Sequence, residues 1–444
     1  MDVLDLTRLQ FAVVTIYHYF FVPMSISLAA IAAGLQIAWL RTREEKFLTL
    51  TKLTGKLLII TFAVGVVTGL VQEFQFGMGW SAFARFYGDV FGPTLAIEGM
   101  LAFFLEATFL ALWYFGWERL PRPVHLATII VVALGTLMSA FIILAGNSFM
   151  QNPVAYALNP ATGRAELTDF GALLTNKVNL AAFPHTMAGA MMVGGALILA
   201  IGVWRRLEVY PRLGAWLTMI GGALTAITGD HLGKVITEVQ PMKMAAAEAL
   251  YATTTGAPFS LFAVGESFSI QVPYLLSFLA KGSPTATVQG IDDLQAQYVA
   301  QYGPGSYVPM IPVAFWSFRL MIGVGMLAAA IAALYLWTSR RGRTPHRWLL
   351  RWLPLIPLLP TAANSLGWIF TETARQPWLA FGLTTVADGI SPGLTSAEVL
   401  FSLAGFSLVY GVLAVVWFRL VRHVCLSSSL SSSSDSAAIS VSSY

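Results

Sequence analysis

Nine long runs of apolar residues dominate this 444-residue sequence and limit the folds that it can adopt. A helix needs about 20 consecutive apolar residues to cross the hydrocarbon core of a bilayer. Inside that core the backbone must satisfy its own hydrogen bonds, which a helix does within one segment. The sequence therefore predicts an all-α integral membrane protein with nine transmembrane helices, at residues 11–40, 57–76, 92–116, 124–146, 181–204, 214–234, 310–338, 348–370 and 395–418.

Charged residues are scarce and unevenly placed. They make up 11% of the chain, whereas about a quarter of a soluble domain is charged, so a soluble fold is excluded. Seventeen of the 26 Lys and Arg residues follow the first, third, fifth and seventh runs or lie at the C-terminus. Because Lys and Arg favour the cytoplasmic side, the N-terminus is predicted outside and the C-terminus inside. The net charge of +4 reflects this topology, and we expect no nucleic-acid partner.

Four segments are expected along the chain. Residues 1–234 hold six helices, residues 235–309 form a long external loop, and residues 310–422 hold three further helices. Residues 423–444 form a serine-rich tail, whose low-complexity composition predicts disorder. The single cysteine excludes an internal disulfide and a protein-held iron–sulfur cluster.

Ionisable side chains inside membrane helices are costly and mark function by default. The predicted helix boundaries place six polar or sulfur-bearing side chains in the outer third to half of the bilayer. They are His18, Glu98, His185, Arg319, Met321 and Glu372. This common depth predicts one site.

The chemistry of these side chains favours haem iron over a hard cation. His, Met and Glu are iron ligands, and His/Met ligation is typical of electron-transfer haems. An arginine can balance haem propionate charge in a low dielectric. Residues two apart on a helix point about 200° apart, so Arg319 and Met321 are predicted to face opposite sides.

Other interpretations of the same residues remain open at this point. A lone intramembrane histidine can have the structural role of a hydrogen bond between two helices, and a methionine can have the structural role of packing in the core. A di-haem electron-transfer cytochrome without oxygen chemistry would need four intramembrane histidines, and only His18 and His185 are good candidates. An ion-coupled transporter could use Glu98, Glu106 and Arg319 as a relay. That alternative leaves Met321 and the shared depth of His18 and His185 unexplained.

Six motifs resemble subunit I of the cytochrome bd quinol oxidases, in the family's order from Arg8 to about residue 410. They are RLQFAVVTIYHYFFVP (8–23), EFQFGMGW (73–80), AIEGMLAFFLEATF (96–109), NSFMQNPV (147–154), FWSFRLMIG (315–323) and ARQPW (374–378). The resemblance implies haem ligands for this chain. His185 and Met321 would hold a low-spin haem b. His18 would hold one of two high-spin haems, a haem b and a chlorin-type haem d, and Glu372 the other, with Glu98 also at the oxygen-reducing centre.

The resemblance implies further polar contacts with the haems. Arg8 would meet a propionate, Arg319 would stabilise the low-spin haem region, and Arg375 and Trp378 would lie beside the other haems. The family's usual glycine before RQPW is Ala374 here. If that position needs a positive φ, alanine would be strained; an ordinary conformation is the alternative.

The external loop is similar to the family's quinol-binding loop over residues 229–259, with Lys243 and Glu248 at its two functional positions. Quinol oxidation releases two protons, which gives a carboxylate there a role as proton acceptor. The simpler interpretation is an exposed charged pair on a short surface helix.

The resemblance implies a respiratory terminal oxidase of the bacterial plasma membrane. Quinol would be oxidised outside and O2 reduced to water with protons drawn from the inside, without a proton pump. Glu106 and Ser139 would belong to the proton route. The implied partners are subunit II, in the membrane, and a small accessory membrane subunit as a further candidate.

Overall fold

The computed structural model of the protein describes residues 2–265 and 268–427 and confirms the mostly helical fold. The α-helices of these residues are α1 (Val3–Thr42), α2 (Glu45–Met78), α3 (Ser81–Ile97), α4 (Phe104–Phe115), α5 (Arg122–Gln151), α6 (Phe170–Leu174), α7 (Lys177–Arg205), α8 (Tyr210–Val239), α9 (Pro241–Glu248), α10 (Leu275–Lys281), α11 (Ile291–Tyr302), α12 (Ile311–Thr338), α13 (Arg347–Trp352), α14 (Leu358–Thr373) and α15 (Ser396–Ser427). A π-helix, Glu98–Phe103, joins α3 to α4. Short 3₁₀ turns lie at Arg340–Gly342, Leu353–Leu355 and Ala387–Gly389.

Eight strands form four small antiparallel sheets within the same residues. The pairs are β1 (Tyr156–Asn159) with β2 (Arg164–Leu167), β3 (Thr254–Thr255) with β6 (Thr287–Val288), β4 (Phe259–Val264) with β5 (Phe268–Val272), and β7 (Trp378–Ala380) with β8 (Thr384–Thr385). The sheets lie in the connections between helices, so they are peripheral to the helical bundle and do not form its core.

Among the described residues, eight helical segments are long and apolar enough to cross a membrane. They are Val3–Thr42, Glu45–Met78, Ser81–Phe115, Arg122–Gln151, Lys177–Arg205, Ile311–Thr338, Arg347–Thr373 and Ser396–Ser427. They match eight of the nine predicted runs. The remaining run, 214–234, lies inside α8, a helix of 30 residues that is not among the eight. The number nine therefore stays a prediction.

Most of the membrane-length helices extend beyond the predicted apolar runs, because polar residues continue them past the hydrocarbon. Helix α1 begins at Val3 and not at residue 11. The side chain of Asp2 caps this start by accepting a hydrogen bond from the Asp5 amide at 2.8 Å. At the other end of the chain, α15 continues to Ser427. The predicted tail therefore begins with five helical residues, and its remainder lies outside the described residues.

The two ends of the helical bundle differ. We call the end that carries the sheets the strand face: α1, α3, α7, α12 and α15 begin there, and α2, α5, α8 and α14 end there. The opposite end, the basic face, has connections at 42–45, 115–122, 205–210 and 338–347, none of which contains a strand. The strand face corresponds to the predicted outside, and its sidedness remains a prediction.

Close packing of α7 on α8 shows how small residues bring the helices together. A Cβ added at Gly195 of α7 would lie only 2.7 Å from the Thr218 backbone nitrogen of α8. Small side chains let membrane helices approach in this way. The same pair of helices continues toward the strand face, where it holds His185 against Thr225.

Candidate functional site

Helix α9 brings the two ionisable residues of the long connection into the protein interior. It begins with Pro241 at its first turn, and residues Met242 to Glu248 are all buried. Lys243 is 3% exposed and Glu248 is 1% exposed. The interpretation of this segment as a surface helix with an exposed charged pair is therefore wrong. Three alanines, at 245–247, lie between Lys243 and Glu248. Their small side chains let α9 pack closely against the neighbouring helices.

Glu248 forms an ion pair with Arg319 of α12, with Oε2 2.5 Å from Nη2. Strand β4 closes over the pair: the Ser260 amide donates to Glu248 Oε2 at 3.3 Å, and the Ser260 carbonyl accepts from Arg319 Nε. Burial raises the pKa of Glu248 to about 7, although the positive charge of Arg319 opposes the rise. The carboxyl can therefore gain or lose a proton near neutral pH.

Aromatic rings enclose the guanidinium of Arg319. Its Cζ lies 4.1 Å from the ring centroid of Phe259, 4.8 Å from that of Phe315 and 5.2 Å from that of Phe318. Cation–π attraction adds to the ion pair where water is excluded. These contacts explain how an arginine is accommodated in the apolar α12: it faces α9 and β4.

Lys243 makes polar contacts with two helices. Its Nζ donates to Gln151 Oε1 of α5 at 2.8 Å and to the Thr371 carbonyl of α14 at 2.9 Å. Burial lowers the pKa of Lys243 to about 7, the charge of Arg375 lowers it further, and Glu372 opposes both. Two groups on α9, Lys243 and Glu248, thus titrate near neutral pH.

Glu372 and Arg375 form a second ion pair beside Lys243, at 2.6 Å. Asn147 of α5 donates to the other Glu372 oxygen at 2.8 Å. Arg375 is 6% exposed, and its Nε and Nη1 have no hydrogen-bond partner among the described residues. Because an unpaired buried donor is unfavourable, this arginine can accept an anionic group such as a haem propionate.

Three further residues that the sequence singles out lie close to this second pair along the chain or in space: Arg8, Ala374 and Trp378. Arg8 of α1 donates to Gln376, which ties the start of the chain to the end of α14. The indole Nε1 of Trp378 has no partner among the described residues, and its ring stacks on Tyr307 at 5.2 Å. Ala374 has φ −77°, an ordinary helical conformation, so the glycine-to-alanine departure causes no backbone strain.

The hydrogen bonds of His18 and His185 determine which ring nitrogen is free. In His185, Nδ1 lies 3.1 Å from the carbonyl oxygen of Thr225, which can only accept, so Nδ1 carries the proton. In His18, Nδ1 lies 3.0 Å from Thr68 Oγ1, whose own proton is directed at the α2 backbone. Both neutral rings therefore leave a lone pair on Nε2, as metal-ligating histidines do.

His125 provides the contrast. Its Nε2 lies 2.8 Å from the Trp113 carbonyl, and its Nδ1 lies 2.9 Å from the side-chain amide of Gln36. Gln36 in turn accepts from the Trp113 indole at 2.7 Å. With both ring nitrogens engaged, His125 is a structural residue and not a further haem ligand.

Three of the four candidate ligands, His18, His185 and Met321, each pack against a glycine. A Cβ would lie 3.1 Å from His18 Cε1 if built at Gly69, 3.0 Å from His185 Cε1 at Gly229, and 3.0 Å from Met321 Sδ at Gly367. Side chains at these glycines would displace the candidate ligands, so the backbone is shaped around them. Met321 thus faces α14, whereas Arg319 contacts α9 and β4, so the two side chains serve different neighbours of α12. Their opposite directions stay a prediction.

A row of carboxyl groups lies along α5. Ser139 donates to Glu98 at 3.0 Å, and Glu106, one turn nearer the basic face, packs on Gly135. Since Ser139 and Gly135 are four residues apart, these two contacts are about 6 Å apart along α5, less than the ~12 Å that eight residues of ideal helix would give. The π-helix Glu98–Phe103 changes the register between the two carboxylates, and π-helical turns are frequent at functional sites.

Three polar residues at the site were missed by the sequence interpretation. Glu73 of α2 shares a hydrogen bond with the carboxyl group of Glu98, Asn147 binds Glu372, and Gln151 binds Lys243. Glu73 was detectable, because it is a carboxylate inside the predicted helix 57–76. Asn147 and Gln151 belong to the motif NSFMQNPV (147–154) but carry no charge, so nothing in the sequence marks them as costly inside a membrane helix.

The candidate residues form several clusters and do not lie at equal distances along their helices. His18 follows the start of α1 by 15 residues, about 22 Å, whereas His185 follows the start of α7 by eight, about 12 Å. The prediction of one common depth assumed that these helices begin at residues 11 and 181, whereas in the structure they begin at Val3 and Lys177. No group of three or more His, Cys, Asp or Glu side chains that could hold a metal ion occurs in residues 2–265 and 268–427.

Residues 6–428 match the family model of cytochrome bd terminal oxidase subunit I. The chain is 41% identical to cytochrome bd ubiquinol oxidase subunit 1 of Bacillus subtilis (strain 168), over 96% of this chain and 94% of that protein. It is 32% identical to cytochrome bd-II ubiquinol oxidase subunit 1 of Escherichia coli (strain K12), over 90% and 92%.

A solved structure has the same fold. A chain of the bd oxidase from Geobacillus thermodenitrificans superimposes with a TM-score of 0.85 at 27% sequence identity. The match covers 95% of this chain and 98% of that one. The likeness therefore extends over nearly the whole chain.

Proposed function

Because the chain belongs to the cytochrome bd terminal oxidase subunit I family, we propose that it is the haem-carrying catalytic subunit of a respiratory terminal oxidase that oxidises quinol and reduces O2 to water. The observation that supports this most directly is the buried ion pair of Glu248 and Arg319 on α9 and α12. Glu248, whose pKa burial raises to about 7, lies behind a single β-strand at the strand face and would serve there as a proton acceptor.

The side chains fit the haems that the family implies. His185 and Met321 would hold a low-spin haem b, and His18 and Glu372 the two high-spin haems, a haem b and a chlorin-type haem d. The free Nε2 atoms of the histidines support this assignment. The unpaired nitrogens of Arg375 support a propionate contact. When bound, the haems would supply the electron transfer and the oxygen chemistry.

On the quinol side, this chain's own residues handle protons. Oxidation of one quinol releases two protons and two electrons. Glu248, ionised, would accept a proton from a quinol hydroxyl, and Arg319 would keep the carboxylate oriented. Lys243, whose pKa is also about 7, could accept the second proton when neutral. Both protons would then be released at the strand face, the predicted outside.

On the oxygen side, protons would come from the basic face, the predicted inside. Glu106 is buried, and its Oε1 has no hydrogen-bond partner among the described residues. It would pass protons toward Ser139, Glu98 and Glu73 along α5. Proton release on one side and uptake on the other moves charge across a bacterial plasma membrane without a pump. The relatives are named as first subunits, so subunit II is the expected partner, with a small accessory membrane subunit as a further candidate.

An absorption spectrum of the purified, assembled oxidase, combined with quinol-driven oxygen uptake, tests the proposal. We expect low-spin haem b, high-spin haem b and a chlorin-type d band, together with uptake of one O2 for every two quinols. Haem b alone without oxygen uptake would indicate the di-haem cytochrome. A protein without haem would indicate the transporter.

A further inference from the structure

The hairpin of β4 and β5, which we call the apolar hairpin, exposes large hydrophobic side chains. Leu261 is 53% exposed, Phe268 is 55% exposed and Ile270 is 51% exposed. The surrounding sequence is almost free of charge: residues 249–280 contain one charged residue, Glu266. A water-exposed segment of that length would carry about eight at the usual quarter. Composition and exposure therefore both disagree with a surface in contact with water.

The hairpin lies against the end of a membrane helix. The ring of Phe262 packs edge-on against Trp316, 5.1 Å away, in the second turn of α12. Arg319, one turn further into α12, donates to the Ser260 carbonyl of β4. The hairpin is thus level with the first turns of a segment long and apolar enough to cross a bilayer. The adjoining α10 also has an exposed aromatic ring, Phe278, at 51%.

We propose that the apolar hairpin is seated in the bilayer leaflet adjoining the strand face, with lipid acyl chains covering Leu261, Phe268 and Ile270. A two-stranded sheet leaves outer strand edges without strand partners, which excludes the centre of the hydrocarbon. The interfacial zone provides both apolar contact and water for these edges. The other hairpin of the strand face, β1–β2, contains Arg164 and Glu166 and is the water-facing counterpart.

The placement of the hairpin also gives the substrate a route to Glu248. This route, unlike the placement, rests on the proposed quinol oxidation. Quinols with long isoprenoid tails dissolve in the bilayer and not in water. Glu248 lies directly behind β4, bonded to the Ser260 amide. A quinol head group in the leaflet would reach Glu248 sideways, past the hairpin, and would not need to leave the membrane.

Nitroxide spin labels test the seating without any reference to quinol. Labels would be placed at Phe268→Cys and Ile270→Cys, with Thr162→Cys, exposed between β1 and β2, as the control. The native Cys425 is 1% exposed and would be replaced by serine. In the oxidised two-subunit enzyme in nanodiscs, power saturation would be measured with O2, which concentrates in lipid, and with a nickel chelate, which stays in water.

The seating predicts that the ratio of O2 to nickel accessibility is at least tenfold higher at Phe268→Cys and Ile270→Cys than at Thr162→Cys. Ratios equal to the control would show a hairpin in water and overturn the proposal. Low accessibility to both reagents would show that a partner chain covers the hairpin, which overturns it equally.

Substitution by aspartate tests the route. Ile270→Asp should raise the KM for a long-tailed quinol at least fivefold, with a smaller change for a short-tailed, water-soluble quinol. Leu158→Asp in β1, at a residue 58% exposed, should change neither. Equal effects of Ile270→Asp on both quinols would contradict lateral entry. If the wild-type enzyme oxidised no quinol, the proposed function would fail, while the spin-label result would stand.

Discussion

Glu248 of α9 and Arg319 of α12 are 71 residues apart in sequence but form an ion pair of 2.5 Å, with side chains 1% and 7% exposed. The pair explains two features that look unfavourable when taken separately: an arginine inside an apolar helix and a carboxylate in a buried alanine-rich turn. Each charge is tolerated because the other is present, and removal of one partner of such a pair costs about 3–5 kcal/mol.

The rate of quinol oxidation should therefore rise with pH through about 7. Only ionised Glu248 can accept a proton, and burial raises its pKa to about 7, so the acceptor is lost as the pH falls below that value. Steady-state rates measured from pH 5.5 to 8.5 should show this limb in the wild type. In Glu248→Gln the rise should become shallower, leaving only the part that Lys243, with a pKa also of about 7, contributes. Glu238→Gln, at an exposed carboxylate on the same face, is the control and should keep the full rise. An unchanged profile in Glu248→Gln would exclude this carboxyl as the acceptor.

Removal of both charges should be less harmful to stability than removal of one. Arg319→Met alone leaves Glu248 buried without its partner and should destabilise the protein by about 3–5 kcal/mol. Adding Glu248→Leu removes that unpaired charge and should recover most of the loss. Thermal unfolding of the wild type, the single variants and the double variant in one detergent measures the coupling. Strictly additive losses would show that the two side chains do not depend on each other.

The low-spin haem should depend on two residues that differ in chemistry. His185→Ala or Met321→Leu should each abolish the six-coordinate haem b signal and quinol-driven turnover, with high-spin haems largely retained. His125→Gln is the matched control, because this histidine uses both ring nitrogens in protein hydrogen bonds. It should lower stability and leave the haem spectrum unchanged. A normal low-spin spectrum in both ligand variants would refute the assignment.

Proton delivery should fail selectively when Glu106 cannot ionise. Glu106→Gln keeps the shape of a side chain that packs on Gly135 but cannot release a proton. Oxygen reduction at steady state should slow by at least tenfold, while anaerobic reduction of the haems by quinol stays fast. Stopped-flow reduction and oxygen-electrode measurements on the same preparation separate the two. Turnover near the wild-type rate would mean that protons enter by another route.

The transmembrane fold could be predicted from the sequence because it depends on local hydrophobicity. Eight of the nine apolar runs correspond to helices of membrane-spanning length and composition. The run inside α8 is less apolar, and that helix also carries Thr225, Thr228 and Asp230. The helix starts were misjudged because a capped polar end, such as that at Asp2, continues a helix beyond the hydrocarbon without an apolar signal.

The sequence allows the residues of the candidate site to be singled out, but it does not predict which of them contact one another. Arg319 and Glu248 could each be singled out as an ionisable group, but their pairing depends on how α9 packs against α12. Sequence spacing reports on neighbours three or four residues apart in one helix. It contains no information on a contact that spans 71 residues. The π-helix Glu98–Phe103 was not predicted for a different reason: apolar composition alone does not distinguish a π-helix from an α-helix.

The central claim is that the buried charges of α9 serve quinol oxidation and not haem binding. Oxygen uptake by the assembled oxidase should therefore be compared for Lys243→Ala and Glu248→Ala with two electron sources, a quinol and an artificial donor that reduces the haems directly. Haem content measured on the same samples is the control. We expect quinol-driven uptake to fall at least tenfold in both variants, with donor-driven uptake and haem content within twofold of the wild type. Equal losses with both electron sources would contradict the claim.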